Sequence, residues 1–476
     1  MLEINDAIHK VIRLTEQEER IIDHPYFQRL RYIRQLGFAW FVYPAATHDR
    51  FSHALGTMQV ASRLTQHLLY DTHNSALSRL LSEDEKEFIT RIVRLAGLLH
   101  DIGHAPFSHI AERVMPPIAS LDIPQDWLKE PHENRPSRHE DFSVLLIRRM
   151  AQDENACITS AEAEIISSLI HYKKIKIPSS WHAHFSKTVH AENLHGLVRS
   201  FVSGDVDADR MDYLLRDSHF AGVSYGHFDL NWLISNLGVV EHDTNYLMSI
   251  SESGIHSLEH YLFARYHMYV QVYMHKTVKC FEYYFQQALD NNETEYRIPA
   301  TVDEYVALRD ATLLEDLFGA ALHKPTSWSS LLVNRRPAKR IARLWDDEKG
   351  ALKLFKEIKT ALKPLGVTPF IHFSRSKFLD IPKSRGEAPA GGKQGLFLFG
   401  LSAMPLVVIR NQFGITSSAP IADYSFILKQ YHRDILIADI YIPPHEYEAH
   451  TKEIQTVLKK YRTFTASEVV LKEEKE

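Results

Sequence analysis

Apolar residues recur at intervals of three and four along most of the first three-quarters of the chain. This spacing buries one face of an α-helix. It predicts helices over residues 27–36, 51–69, 83–99, 142–150, 161–171, 209–216 and 257–290. Helical spacing continues to residue 365, so the sequence predicts a largely helical protein.

The pattern becomes mixed after about residue 301. β-like runs occur at residues 367–373, 396–401, 406–410 and 435–442, and a helical stretch follows at 444–461. Residues 382–395 are rich in Gly, Pro and charge, which predicts a flexible loop. We therefore predict a mainly α protein with a helical domain at residues 1–300 and a smaller α+β lobe at 301–476.

Composition narrows the function classes only slightly. The 476 residues suffice for about two or three domains, and the net charge of -5 gives no global attraction to nucleic acid or membrane surfaces. The two cysteines, Cys157 and Cys280, have no zinc-binding spacing and fit a reducing compartment. No secretory leader or membrane-spanning stretch is evident, so we expect a cytoplasmic protein without a membrane partner.

The run His100-Asp101-Ile102-Gly103-His104 closes one of the apolar-rich stretches. Adjacent His and Asp side chains point about 100° apart on a helix, so both reach one metal only where the helix ends. Gly103 and Pro106 supply that ending. With His53 upstream and Asp209 downstream, the mixed nitrogen and oxygen ligands suit iron, zinc, manganese or nickel, and such shells usually activate water for hydrolysis. The sequence therefore predicts a metal-dependent phosphohydrolase.

Spacing also suggests groups that would hold a substrate. Asp209, Tyr213 and Asp217 recur every four residues, which places an acid, a phenol and an acid on one helical face. Such a pattern alone is more often a solvated acidic surface, and only the nearby His-Asp run favours a functional role.

Cations recur in the same way. Arg265 and Lys276 are eleven residues apart on the predicted 257–290 helix, where they share a face and could clamp a polyphosphate. Their plain alternative is an ordinary helix surface. Arg50, one helical turn before His53, has a natural position for a phosphate anchor.

Three further histidines, His104, His109 and His139, are candidates for proton transfer. An imidazole titrates near neutrality and can give a proton to a leaving alkoxide or take one from water. Each histidine alone would more often be structural. Glu112 could orient one imidazole by accepting its second N–H.

The motifs together resemble a known family. They fall in order along roughly the first 345 residues, at Ile4–Asp6 with Ile8-His9, Ile21–Pro25, Phe27–Gly37, Arg50–Gly56, His100–His109, His139-Glu140, Asp207–Tyr213 with Arg216-Asp217, and Tyr273–Lys276. This series resembles the HD-domain deoxynucleoside triphosphate triphosphohydrolases, in the branch that contains the mammalian SAM-and-HD-domain enzyme and its bacterial relatives. The resemblance implies an HD-domain helical bundle for the first domain.

The resemblance also implies residue roles. It implies metal ligation by His53, His100, Asp101 and Asp209. It implies acid–base or water-positioning roles for His104, His109 and His139, with Glu112 where the family often has an aspartate. It implies triphosphate contacts from Arg50, Arg210, Tyr213, Arg265 and Lys276, and sugar selection by Gln35, Leu36, Asp217 and Tyr273, with His275 nearby.

The implied reaction is attack of a metal-activated hydroxide on the α-phosphorus of a dNTP, which releases deoxynucleoside and intact tripolyphosphate. The implied cofactors are a divalent transition metal (Fe, Mn, Zn or Ni) at the HD site and Mg²⁺ with the triphosphate. Arg210 departs from the family branch, which has lysine there, so the charge is kept while the reach changes.

Nucleotide regulation is a further implication of the resemblance. Asn5, Asp23, Gln28 and Arg31 match effector-facing positions of the family, and Arg335 and Lys339 resemble regulatory phosphate contacts from a neighbouring subunit. A GTP or dNTP effector and a homo-oligomer, dimer or tetramer, are therefore expected. No SAM domain is expected, because the matched motifs begin at Ile4.

Two other interpretations stay open from the sequence. One is an HD-superfamily phosphodiesterase or nucleotidase that acts on other nucleotides or on single-stranded nucleic acid, although the many cations favour a triphosphate. The other is a binding protein that senses nucleotides or holds single-stranded nucleic acid through the basic residues 335–343. The plain alternative for those residues is a basic helix surface.

Overall fold

The structure, a computed structural model, describes residues 2–71, 75–130, 133, 135–186, 189–242, 244–376, 406–410, 416–420, 425 and 435–461. For residues 109, 112, 113, 242, 376, 406–410 and 416–420 it describes the backbone alone. The predicted loop 382–395 and the predicted strand 396–401 lie outside the described residues.

Contacts divide the chain into two compact units whose segments alternate along the sequence. The first consists of Met1–Val272, Tyr296–Leu314 and Leu379–His432, and the second of Tyr273–Glu295, Glu315–Phe378 and Arg433–Glu476. The sequence predicts two continuous domains that meet near residue 300, and that division stays a prediction.

The first unit is mainly helical. Its α-helices are Glu16–Asp23, Pro25–Gln28, Arg50–Tyr70, Leu77–Leu80, Glu83–Leu99, His139–Gln152, Ser160–Ile170, Ser179–His182, Ala191–Ser200, Ala208–Ala221, Leu230–Asn236, Ile255–Met268 and Val302–Ala307. Short 3-10 helices are Arg29–Tyr32, Gly37–Phe41, Ser108–Val114, Ile118–Ser120 and Glu252–Gly254. The mainly α expectation is confirmed.

Two helix predictions are wrong. Instead of a helix over 27–36, a four-residue α-helix passes into the 3-10 helix Arg29–Tyr32. Phe27, Leu30 and Ile33 are all fully buried. Their spacing of three suits a 3-10 helix, which has about three residues per turn, and this spacing misled the helix prediction.

The predicted helix over 257–290 is interrupted. Ile255–Met268 passes into a π-helical turn, Tyr269–Tyr273, and a new helix begins at Lys276. The His275 side chain accepts a hydrogen bond from the Thr277 amide and so caps the new helix. Arg265 and Lys276 therefore do not share a face of one helix, and that argument for a clamp is wrong.

Strands of the first unit were not predicted except at 406–410. Leu2–Asp6 and Lys10–Leu14 form an antiparallel hairpin in which Leu2 pairs with Leu14. A second sheet has the order Leu237–His242, Asn245–Ser251, Leu406–Arg410, Thr416–Pro420. The pairing of Asn245–Ser251 with Leu406–Arg410 is parallel, and the other two pairings are antiparallel.

Two packed helices form the centre of the first unit. Arg50–Tyr70 begins at the cap Asp49, whose side chain accepts from the Ser52 amide. Glu83–Leu99 begins with a capping box between Ser82 and Glu85. A Cβ at Gly97 would lie 3.2 Å from the Met58 Cα, so the glycine lets the two backbones approach closely. This packing brings His53 on one helix near the C-terminal end of the other.

The second unit is α+β, as expected for the smaller lobe. Its three-stranded antiparallel sheet has the order Lys339–Trp345, Ile435–Ile442, Phe370–Ser376. Its helices are Lys276–Asp290, Trp328–Val333, Glu348–Leu362, the 3-10 helix Lys363–Leu365, Pro444–Ala449 and Thr451–Lys459. The helix Asp310–His323 runs from the first unit into the second. The buried core of the second unit includes Leu354, Ile358, Ile440 and Ile454.

The basic residues 335–343 do not form a helix surface. Lys339–Trp345 is a strand, in which Arg343 pairs in register with Asp439 of Ile435–Ile442. Arg343 binds both carboxylate oxygens of Asp439, at 2.7 and 2.6 Å, so the neighbouring strand neutralises part of this charge. In the part of the chain that the structure describes, no helix has the length and apolar character needed to cross a membrane.

Candidate metal centre

The predicted helix end at the His-Asp run is confirmed. Helix Glu83–Leu99 ends with His100 as its C-cap residue. The Ser143 hydroxyl donates to the His100 carbonyl at 2.8 Å and accepts from the Gly103 amide at 3.0 Å. A Cβ at Gly103 would overlap the backbone of Ser143 and His139, so glycine is required for this close approach. The turn that carries His100 and Asp101 is thereby fixed against helix His139–Gln152.

The four predicted metal ligands lie together. Nε2 of His53 lies 3.1 Å from Oδ1 of Asp209 and 3.6 Å from Oδ2 of Asp101. Nε2 of His100 lies 3.4 Å from Oδ1 of Asp101 and 3.6 Å from Oδ1 of Asp209. Both Nε2 atoms are buried and lack a hydrogen-bond partner among the described residues. Two buried imidazole nitrogens facing two carboxylates fit a divalent metal, because an unsatisfied buried polar atom is costly.

The other nitrogen of each imidazole is held by the protein. Nδ1 of His100 lies 2.8 Å from the Gly97 carbonyl, which can only accept, so Nδ1 carries the proton and Nε2 has a free lone pair. Nδ1 of His53 lies 2.7 Å from Oδ2 of Asp212. Both rings are therefore oriented as metal ligands usually are.

Asp212 is a supporting residue of this cluster that sequence reasoning missed. Its carboxylate also lies 2.6 Å from Nε2 of His9 and accepts from Arg216 at 2.9 Å. Arg216 in turn binds Asp6, at 2.8 and 3.2 Å. This buried network connects the N-terminal hairpin to His53.

The charges of the site favour ionised carboxylates. Although burial raises the pKa of Asp101, the charges of His100, Arg50 and His104 lower it well below its usual range. Burial lowers the pKa of His53, but the adjacent carboxylates of Asp209 and Asp212 raise it to about 10. Against the effect of burial, the pKa of Asp209 is lowered as well, by His100 and His53, so both carboxylates are ionised and offer negative charge to a cation.

A second group of side chains adjoins Asp101. His104 Nε2 lies 3.2 Å from Oδ1 of Asp101, and the His104 ring stacks on His139 at 3.9 Å between centroids. Burial, with the Arg50 and His139 charges, lowers the pKa of His104 well below its ordinary value. Arg50 forms an ion pair with Asp101 Oδ2 and donates to the Ser108 hydroxyl at 2.8 and 3.1 Å. The side chains of His109 and Glu112 lie outside the described residues; their backbone belongs to the 3-10 helix Ser108–Val114.

Arg210, the residue after Asp209, lies close to a second arginine, Arg265. Arg210 donates to Asp207 at 3.1 Å and lies 3.6 Å from Asp205. Arg265 reaches the same oxygen of Asp205 at 3.5 Å. Tyr213 is on the same helix as Asp209, Ala208–Ala221. The structure therefore brings Arg210 and Arg265 together although they are 55 positions apart in the sequence.

The predicted sugar-contacting residues have mixed surroundings. Asp217 is 2 % exposed and pairs with Nε2 of His48 at 2.8 Å. Oε1 of Gln35 is buried and has no hydrogen-bond partner among the described residues. Leu36 directly precedes the 3-10 helix Gly37–Phe41. Their sugar-binding roles stay predictions.

Tyr273, His275 and Lys276 belong to the second compact unit, and their substrate contacts stay predictions. Lys276 is one of four clustered cations, Lys276, Lys339, Arg340 and Arg343, which we call the basic cluster. Burial and the other three cations lower the pKa of Lys276. Asp439 is the carboxylate beside them.

The other predicted effector-binding residues are spread over several elements. Asn5 is in strand Leu2–Asp6, and Asp23 ends the helix Glu16–Asp23. Gln28 accepts from Arg31 at 2.9 Å, and the Arg31 guanidinium lies 3.5 Å from the centre of the Phe51 ring. Arg335 has a left-handed backbone conformation, with φ 51°.

Comparison with known proteins identifies the domains of this chain. The HD domain model matches residues 50–217, and the HD associated region model matches residues 228–347. The chain contains an HD domain followed by an HD-associated region. The HD match contains all four clustered ligands, His53, His100, Asp101 and Asp209, and this domain places the chain in the HD phosphohydrolase superfamily.

Curated relatives of this HD-domain chain come from several domains of life. "Uncharacterized protein MJ1154" of Methanocaldococcus jannaschii is 36% identical over 276 residues, covering 58% of this chain and 46% of that protein. "Deoxynucleoside triphosphate triphosphohydrolase SAMHD1" of Homo sapiens is 30% identical over 349 residues, covering 66% of this chain and 50% of that protein. The chain thus spans about half the length of these relatives. The predicted resemblance is confirmed at the level of the family.

Two solved structures share the fold of this HD-domain chain. A hypothetical protein from Aquifex aeolicus superposes with a TM-score of 0.66 at 24% identity, covering 96% of this chain and 99% of that one. A phosphohydrolase from Bacteroides thetaiotaomicron (BT4208) superposes with a TM-score of 0.63 at 22% identity, covering 92% and 99%. At these identities the similarity concerns the fold alone.

Proposed function

We propose that this chain is a metal-dependent deoxynucleoside triphosphate triphosphohydrolase that cleaves at the α-phosphorus. One observation carries the proposal. The cluster of predicted metal ligands includes Asp209, and the next residue, Arg210, belongs to an arginine pair. The pair consists of Arg210 and Arg265, which share one oxygen of Asp205. The human relative, which is named a deoxynucleoside triphosphate triphosphohydrolase, gives independent support.

His53, His100, Asp101 and Asp209 would hold the metal. A divalent metal in such a shell supplies Lewis acidity and lowers the pKa of water toward neutrality. The chain itself supplies orientation, because Gly97 and Asp212 fix the two imidazoles.

His104 and His139 are the proposed acid–base pair. Burial and the Arg50 and His139 charges lower the pKa of His104, which favours the neutral imidazole, the form that accepts a proton. His139 stacks on it and adjoins Asp101 in a second group of potential ligands, Asp101, His104 and His139. His109 and Glu112 complete the proposed group from the 3-10 helix Ser108–Val114.

Arg50, Arg210 and Arg265 are the proposed phosphate contacts, with Tyr213, Lys276 and the Mg²⁺ that accompanies a triphosphate. Fixed guanidinium groups stabilise charge that develops on phosphoryl oxygens. Gln35, Leu36, Asp217 and Tyr273, with His275, are the proposed sugar contacts. Discrimination against a 2′-hydroxyl would then depend on fit.

Regulation by a nucleotide effector is part of the proposal. The basic cluster, in which four cations act on one another and Asp439 lies beside Arg340 and Arg343, suits a polyphosphate. Asn5, Asp23, Gln28, Arg31, Arg335 and Lys339 are the proposed effector contacts, in a homo-oligomer of two or four chains.

Product analysis tests the activity. Purified protein with its metal content confirmed is incubated with all four dNTPs, with Mg²⁺ or Mn²⁺, with and without GTP, and the products are separated by anion exchange. We expect tripolyphosphate and deoxynucleosides, and a gain with GTP if the effector contacts are correct. The double variant His100→Ala/Asp101→Ala should lose bound metal and activity together.

Parallel incubations separate the alternatives. Cyclic dinucleotides, deoxynucleoside monophosphates and single-stranded DNA are supplied under the same conditions. Turnover of one of these without dNTP hydrolysis would establish the phosphodiesterase or nucleotidase interpretation. Tight nucleotide binding without any turnover would establish the sensing interpretation.

A further inference from the structure

Arg265, which is buried, and Arg210, whose side chain is 25 % exposed, approach the same carboxylate oxygen. Nη1 of Arg265 lies 3.5 Å, and Nη1 of Arg210 lies 3.6 Å, from Oδ1 of Asp205. Asp205 is 7 % exposed, and its other oxygen, Oδ2, is buried without a hydrogen-bond partner among the described residues. Oδ1 therefore compensates the charge of the arginines, while Oδ2 makes no hydrogen bond to the described residues.

Other arginine–carboxylate pairs of this chain have different geometry. Arg135 binds both oxygens of Asp141, at 2.6 and 2.7 Å, and Arg343 binds both oxygens of Asp439 at similar distances. Such short bidentate pairs are typical of strong charge-assisted hydrogen bonds. The Asp205 contacts are longer and use one oxygen, so Asp205 holds its arginines more weakly than a structural partner does.

The backbone of Asp205 is nevertheless fixed. The Tyr261 hydroxyl donates to the Asp205 carbonyl at 2.9 Å. The carboxylate therefore stays close to the arginines when another anion takes its contacts. Two guanidinium groups that approach one carboxylate need a counter-ion in the free protein, since like charges repel more strongly where water is partly excluded.

We propose, on the basis of the proposed function, that Asp205 is the exchangeable counter-ion of the phosphate-binding arginines and sets their affinity for polyphosphate. In the free protein its carboxylate compensates Arg265 and shares Arg210 with Asp207, which accepts from Arg210 at 3.1 Å. A bound triphosphate takes over these contacts and meets Asp205 as a nearby like charge. Asp205 thus weakens polyphosphate binding and speeds release of the tripolyphosphate product.

The test is calorimetric titration of the metal-loaded protein with inorganic tripolyphosphate, which requires no turnover. Asp205→Asn and Asp205→Ser remove the charge and should lower the Kd about tenfold, the order expected when one like charge near a bound anion is removed at intermediate dielectric. Asp205→Glu keeps the charge and should bind like wild type. Asp122→Asn is the matched control, because it removes the same charge from the Arg148–Asp122 pair on an exposed side chain and should leave the Kd unchanged.

An unchanged or higher Kd in both uncharged variants would overturn the proposal, because it would show that Asp205 merely orders the arginines. Failure of both to fold would do the same. The proposed function fails separately: wild-type protein that binds tripolyphosphate but hydrolyses no dNTP contradicts the activity and leaves the Asp205 comparison valid. Wild-type protein that does neither overturns both.

Discussion

The imidazole of His53 is held through its Nδ1 atom by Asp212, at 2.7 Å from Oδ2, and both side chains are fully buried. The contact joins two helices, Arg50–Tyr70 and Ala208–Ala221. Gly56 makes it possible, because a Cβ at that position would overlap the Asp212 carboxylate and the Arg216 guanidinium. Asp212 therefore orients the His53 ring so that the other nitrogen, Nε2, faces the predicted ligand Asp209.

Asp212→Asn should weaken metal binding. The amide cannot reproduce the charge that fixes the His53 ring, and loss of such a supporting carboxylate typically costs about 10–100-fold in metal affinity or activity. Metal content after dialysis against a graded chelator measures the effect. Asp6→Asn is the matched control, because it removes the other carboxylate of Arg216 without touching His53. Equal metal loss in both variants would contradict the assignment and indicate general loosening of the network.

Gly103→Ala should be severely destabilising. Its Cβ would overlap backbone atoms of Ser143 and His139, which cannot move away as the end of a flexible side chain could. We expect a loss of about 3 kcal/mol or more in the free energy of unfolding, measured by urea denaturation.

Gly196→Ala is the control for the glycine substitution itself. Gly196 is in helix Ala191–Ser200, and a Cβ there would meet nothing within 4 Å. This variant should gain about 0.5–1 kcal/mol, because alanine favours a helix interior over glycine. A Gly103→Ala protein as stable as wild type would show that the turn at His100 and Asp101 is not packed as described.

The His100-Asp101 part of the cluster was predictable from sequence because it is local, whereas His53 and Asp209 are distant in the sequence and were expected through the family resemblance. Histidine and aspartate adjacent at a helix end left few alternatives to a metal, and His100 and Asp101 indeed lie with His53 and Asp209. Helix Glu83–Leu99 was also predictable, since its apolar periodicity and capping residues agree.

The supporting contacts were harder to predict because they join residues distant in sequence. Asp212 is one helical turn after Asp209, and Gly56 is one turn after His53. A metal shared by His53 and Asp209 would require the next turns of both helices to meet as well. That geometry could have identified Asp212, whereas nothing in the sequence indicates that His9, on a hairpin, reaches the same carboxylate.

Stability should fall at mildly acidic pH because of His195. Its side chain is 3 % exposed, with Nε2 2.8 Å from the Ser168 hydroxyl, and burial with the Arg199 and Lys129 charges lowers its pKa to about 3. An unfolded histidine has a pKa of about 6.5 and binds a proton that the folded protein excludes. The contribution of neutral His195 to the free energy of unfolding is complete above about pH 6.5 and declines as the pH falls toward 3.

Comparison of wild type with His195→Gln isolates this effect. Between pH 6.5 and 4.5 the wild-type free energy of unfolding should decrease by about 2 kcal/mol more than that of the variant, measured by urea denaturation at each pH. His260→Gln is the control, because His260 is exposed on helix Ile255–Met268. Parallel pH profiles for wild type and His195→Gln would show that His195 is protonated in the folded state.

Arg265→Ala should separate a phosphate-binding role from a structural one. Loss of a charge-assisted contact costs about 1.5–3 kcal/mol, so kcat/KM for a dNTP should fall about 10–100-fold. Hydrolysis of bis(4-nitrophenyl) phosphate, which has no triphosphate, should fall much less, because the metal cluster does not include Arg265. Arg94→Ala is the control: Arg94 binds Glu18 at 2.6 and 2.7 Å, away from the ligand cluster, so its loss should lower stability without changing the ratio of the two activities. Equal losses on both substrates in Arg265→Ala would assign Arg265 to the folding of the site and remove it from the phosphate contacts.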